Sequence, residues 1–107
     1  MFTRLVECYV QSGRKKEFSA QMKALVLPLL QSEPGFVDLL ALSSEDEPDR
    51  MLSISLWKSQ ADAERFHRQN FEKILESVRP LLQGEPSIEF YKVDASTAHG
   101  FAISRAA

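Results

Sequence analysis

Apolar residues along the chain switch between two periods, and the switches mark its elements. From Thr3 to Gln11, "TRLVECYVQ" mixes alternation with Val, Tyr and Cys and stops at Ser12-Gly13, which predicts a strand and a turn. From Lys15 to Gln31, Phe18, Met22, Leu25, Val26 and Leu29 fall at helical spacing, with Lys15, Lys16, Glu17, Gln21 and Lys23 on the opposite side. "FVDLLALSS" after Pro34-Gly35 and "MLSISLW" after Pro48-Asp49-Arg50 are strand-length runs separated by the turn-rich "EDEPDR", and they predict a hairpin. Ser59 stands three residues before Asp62, a capping signal for a second helix. Phe66 continues its stripe, but the next apolar set, Phe71, Ile74, Leu75, Val78 and Leu82, begins five residues later, which predicts a kink near Arg68 to Asn70. "SIEFYKV" from Ser87 is a last strand, and the tail beyond it has no clear period.

The order strand, helix, strand, strand, helix, strand is that of an α+β, ferredoxin-like β-α-β-β-α-β fold: a four-stranded antiparallel sheet with both helices on one face. Residues 1–94 are expected to form this one domain, with 95–107 a tail that is loose or held by a partner. Two helix-to-strand junctions also resemble each other: "LPLLQSEPGF" from Leu27 and "RPLLQGEPSI" from Arg79 agree at six positions, including Pro28 with Pro80 and Pro34 with Pro86.

Two helices cover only one face of such a sheet, so the other should read polar in a monomer. It does not. The second strand puts Phe36, Leu40 and Leu42 on one side and Val37, Leu39 and Ala41 on the other. The third sets Leu52, Ile54 and Leu56 opposite Met51 and Trp57. A homodimer with facing sheets is expected.

Composition narrows the function classes. The chain has 107 residues, 44% of them apolar and 26% charged, enough for a real core. Thirteen basic against fifteen acidic residues give a net charge of -2, which disfavours nucleic acid as a partner. Cys8 is the only cysteine, so no internal disulfide forms. "ALVLPLL" is too short to cross a bilayer, and charges at Arg4 and Glu7 interrupt any secretory signal, so no membrane association and a cytoplasmic location are expected. His67, His99 and Cys8 lack metal-ligand spacing, and no Gly-rich phosphate loop is present. No metal and no cofactor are therefore expected.

From about Leu5 to Val93 the chain resembles the antibiotic biosynthesis monooxygenase domain family. The resemblance is carried by the turn and charged helix start Gly13-Arg14-Lys15-Lys16, by Pro34-Gly35-Phe36, and by Leu56-Trp57-Lys58-Ser59 before an Ala-rich helix. It implies a dimeric α+β barrel and cofactor-independent oxygenation of a small aromatic or quinol-like molecule between sheet and helices. Departures are specific. Ser53 stands where one branch of the family has asparagine, and Phe66 where members often have histidine, with His67 one step on. Positions near Val6, Phe66 and Leu75 lack the Asn, Trp and His of the heme-degrading branch, which disfavours heme degradation.

The candidate residues follow from both readings. His67 is the expected catalytic base, since its ordinary pKa lies near neutrality. Trp57 and Phe66 would shape the pocket, and Ser53 and Ser55, on the same strand face as Trp57, would orient substrate oxygens. Tyr9 and Tyr91 offer phenols that could hydrogen-bond a quinol. The competing expectations are a non-catalytic dimeric ligand-binding module, or an isomerase or lactone-handling enzyme on the same fold.

Overall fold

The computed structural model describes residues 1–97; His99 and the rest of the tail from position 98 lie outside the described residues. The chain runs β1 (Phe2–Tyr9), α1 (Lys15–Ser32), β2 (Phe36–Ser43), β3 (Arg50–Trp57), α2 (Gln60–Val78), a 3-10 turn (Arg79–Leu81) and β4 (Ser87–Lys92). The four strands form one antiparallel sheet in the order β2-β3-β1-β4. The expected β-α-β-β-α-β order and fold are observed.

Register fixes which residues share a face. Arg4 lies opposite Ser55 on one neighbour and Phe90 on the other, and Val6 opposite Ser53 and Ile88. The face carrying Phe2, Arg4, Val6, Cys8, Ser53 and Trp57 turns toward the helices. Against it pack Phe18, Val26 and Leu30 from α1 and Ala63, Phe66, Ile74 and Leu75 from α2.

Local chemistry explains the joints. Gly35, at φ +85°, makes the turn into β2, and a side chain there would collide with the Asp62 carboxylate. Asp62 is held in place by the capping exchange anticipated at the start of α2: its N–H donates to Ser59 Oγ (3.2 Å), and the Ser59 hydroxyl donates to its Oδ2 (2.9 Å). Arg65 adds a clamp, donating to Glu33 Oε1, Asp62 Oδ1 and the Pro34 carbonyl, so the end of α1 is tied to the start of α2.

Two expectations are corrected. Alternation puts Phe36 with Leu40 and Leu42, but the register shifts between Phe36 and Asp38. This irregularity returns Phe36 to the helix side, where it packs edge-on to Trp57 at 5.6 Å, while Leu40 and Leu42 stay outside. The kink near Arg68 to Asn70 does not occur: α2 is one helix of 19 residues. Asn70 occupies the missing position of the stripe, buried, with its Nδ2 donating to the Phe66 carbonyl one turn back. The matching junctions also diverge. Pro28 lies inside α1, whereas Pro80 lies in the 3-10 turn, because Leu81 and Gln83 leave the helix to bond the end of β1 at Gln11 and Tyr9.

Candidate functional site

Small side chains on the helix side of β2 and β3 leave space that the helices bridge. Ala41 lies opposite Ser53, and Ser55 follows two residues on. Above them a cavity of about 230 Å³ runs between sheet and helices. Its floor includes Val6, Cys8 and Ser53, and its cover includes Met22, Phe66 and Phe71. An apolar cavity of about 150 Å³ suffices for benzene, so this one admits a somewhat larger ring system.

Its polar inventory is short. The Ser55 hydroxyl donates to the Arg4 carbonyl (3.3 Å) and accepts from Trp57 Nε1 (2.9 Å), so its proton is already used. Ser53 also lines the cavity, and its hydroxyl has no hydrogen-bond partner among the described residues. Cys8 is buried, and burial together with the Glu7 charge pushes its thiol up to about 11, so it stays protonated and unreactive at neutral pH.

Arg4 is the outlier. It is 7% exposed, lines the cavity, and places its guanidinium carbon 5.4 Å from the Phe71 ring centre and 5.8 Å from that of Phe66. Burial lowers its pKa to about 10, which leaves it cationic at neutral pH. No carboxylate pairs with it among the described residues. Its single side-chain hydrogen bond there runs from Nε to His67 Nδ1, at 3.0 Å.

That bond decides what His67 does. Accepting at Nδ1 requires the tautomer with its proton on Nε2, so the lone pair a base would use is committed to Arg4. The imidazole stacks on Phe71 at 4.7 Å, meets Phe90 edge-on, and does not line the cavity. Burial first, and then the Arg4 charge, hold its pKa below the ordinary value. In this geometry the His67 Nδ1 lone pair is directed at Arg4, and the imidazole stands outside the cavity lining.

The other expected residues divide. Ser53, Ser55 and Phe66 come together at the cavity. Trp57 does not line it: fully buried, it stands behind Phe66 at 5.2 Å as core. Tyr9 and Tyr91 lie on the far face of the sheet, exposed, with their hydroxyls donating to Glu47 and Glu89, and so are not part of this cavity. Arg4 escaped the sequence reading, although a signal existed: it shares strand parity with Phe2, Val6 and Cys8, all turned toward the core.

Among the described residues no group of three or more His, Cys, Asp or Glu is arranged to hold a metal, and no helix is long and apolar enough to cross a membrane. No curated protein matches the chain. Solved structures match it closely in fold. A protein of unknown function from Nitrosomonas europaea aligns with a TM-score of 0.76 at 18% identity, covering 90% of this chain and 91% of that one. SnoaB, a cofactor-independent oxygenase from Streptomyces nogalater, aligns with a TM-score of 0.74 at 18% identity, over 90% of this chain and 95% of that one. A conserved protein from Methanosarcina mazei Go1 reaches 22% identity with a TM-score of 0.73, over 86% and 92%. The family model for antibiotic biosynthesis monooxygenase matches residues 1–71, from β1 through the Ser59 cap to Phe71 on the cavity wall, and the chain belongs to that family.

Proposed function

We propose that this protein is a small monooxygenase that oxidises an electron-rich aromatic or quinol-like molecule inside the cavity, with the substrate itself reacting with oxygen. The carrying observation is the cavity: apolar walls, about 230 Å³, and a few convergent polar groups on the helix side of the sheet. Family membership supports the reaction class, and the shared fold with SnoaB supports chemistry without a cofactor. At an activated ring CH₂, one atom of O₂ becomes the new carbonyl oxygen and the other leaves as water with the two ring hydrogens. The walls exclude solvent from the reactive carbanion, Ser53 offers a free hydroxyl to a substrate oxygen, and the Arg4 cation favours the ionised form of a bound acid. The acting unit is a homodimer joined through the open sheet face.

One observation favours a second reading. No carboxylate or imidazole lines the cavity among the described residues, which suits a ligand-binding module that needs no proton transfer. Oxygen uptake by metal-stripped protein with a panel of hydroquinones and anthrone-like phenols separates the two. Uptake above the protein-free rate, slowed by Ser53→Val, is the expected result. Binding without uptake would sink the oxygenase reading and leave the binding module.

A further inference from the structure

We propose that Arg4 makes the cavity a receptor for a carboxylate, so that its ligand is an apolar ring compound carrying one ionised acid group. The assignment rests on the cavity being the ligand site of the proposed function, and it names the chemistry of that ligand.

A cation buried this deeply without an anion is costly, and native proteins keep such charges paired. The cation–π contacts to Phe66 and Phe71 and the bond to neutral His67 spread the charge but do not neutralise it. The two terminal amino groups, Nη1 and Nη2, have no partner among the described residues. Neither is sealed off, because among the described residues no fully enclosed side-chain nitrogen or oxygen lacks a hydrogen bond. They therefore border open space, and Arg4 is part of the cavity wall.

The remaining donors have the right shape. With Nε held by His67, the two amino groups present the forked edge of the guanidinium, which meets both oxygens of a carboxylate in one plane. Two other features fit the same ligand. Ser53 sits diagonally across the strand pair from Arg4 on the same face, roughly 7–8 Å away between backbones, a spacing that lets its hydroxyl reach a second ligand oxygen. Most of the remaining wall, with Met22, Val26 and Ile74, is apolar and suits a ring, while Ser19 and the exposed Lys23 stand on its α1 side. An amine would meet repulsion from the Arg4 cation.

The test is equilibrium binding, followed by Trp57 fluorescence and by calorimetry, of 1-naphthoate and of 1-naphthamide, which has the same shape and no charge. Wild-type protein near pH 8 is expected to prefer the acid by about tenfold or more. Arg4→Met, of similar length and apolar, should abolish that preference while keeping the amide affinity. Arg4→Lys should reduce it, because the charge stays and the fork goes. Equal affinity of wild type for acid and amide would overturn the carboxylate assignment and leave the cavity as the ligand site. Failure of both probes to bind would overturn the cavity reading and the assignment with it. The wild-type comparison decides the matter even if Arg4→Met does not fold. Because the readout is binding, a negative oxygen-uptake result leaves this inference untouched.

Discussion

On the helix side of the sheet, Arg4 sits among apolar side chains with no carboxylate against it, whereas on the other side Leu40 and Leu42 stand 56% and 42% exposed among Leu52, Ile54 and Leu56. The same four strands thus carry a charge where the surroundings are apolar, and apolar groups where the surroundings are water. Each face departs from the default in the opposite sense. A buried charge is costly because low polarisability leaves it unscreened. Exposed leucines forgo roughly 25 cal/mol for each Å² of apolar surface left wet. The difference teaches that the faces call for different partners: on the proposals made above, the covered face would take a small anion-bearing ligand and the open face another large apolar surface.

The sharpest way to break the covered face is at its foundation. Trp57 fills the end of the core between Phe36 and Phe66 and is fully buried, with Nε1 donating to Ser55. Trp57→Ala removes that volume and leaves Ser55 short of a donor. A loss of about 3–5 kcal/mol in unfolding free energy is expected from denaturant titration. A loss below about 1 kcal/mol would mean that this end of the core closes without the indole.

The open face is broken by charge. Leu40→Asp with Leu42→Asp puts two carboxylates where the twofold copy is expected to sit, at positions whose side chains are not in the monomer's core. Wild type should sediment as a dimer at micromolar concentration, and the double variant should dissociate with a constant raised about tenfold or more. Its far-UV spectrum should be unchanged. A wild type that sediments as a monomer would remove the dimer, and the apolar open face would then need another explanation.

The two faces were not equally legible in the sequence. Strand-length apolar runs bounded by turn residues marked β1 and β3, and the Ser59–Asp62 pair marked the start of α2, because these depend on near neighbours in the chain. What failed depended on geometry that has no period. The irregularity after Phe36 adds a residue and reverses parity for part of β2, so strict alternation assigns Phe36 to the face of Leu40 when it lies on the other. Asn70 looked like a break in the apolar stripe, yet it satisfies its own side chain within the helix and is buried like its neighbours. Tyr9 and Tyr91 were drawn to the site by their chemistry, whereas their parity sends them to the open face. Arg4 was missed for the converse reason. Its parity was right, but an arginine early in a strand reads as surface until the register shows Ser55 on one side and Phe90 on the other.

The smallest expected effect probes the hydrogen bond that holds Arg4. His67 faces Arg4 through Nδ1, Glu72 lies near enough to favour its charged form, and burial outweighs that help, so its pKa in the folded protein lies below the ordinary 6.5. As the pH falls through about 6.5, the unfolded chain takes up a proton at this position, and the folded chain does so only at lower pH. Between those two points the unfolded state binds more protons, so stability rises with pH there. The contribution of neutral His67 is complete above 6.5, declines as the pH drops toward the folded value, and is constant below it. Cys8, pushed up to about 11, and Arg4, at about 10, do not titrate in this window. His67→Gln retains an oxygen that accepts from Arg4 and removes the titration. The loss of stability between about pH 7.5 and about pH 5.5 should therefore be smaller in the variant than in wild type. The half-buried imidazole is partly screened by water, which keeps the difference below those expected for Trp57 and for the open face. An equal acid loss in both proteins would show that the proton on His67 is not linked to folding, and the Arg4–His67 bond would lose its claim to orient the cation.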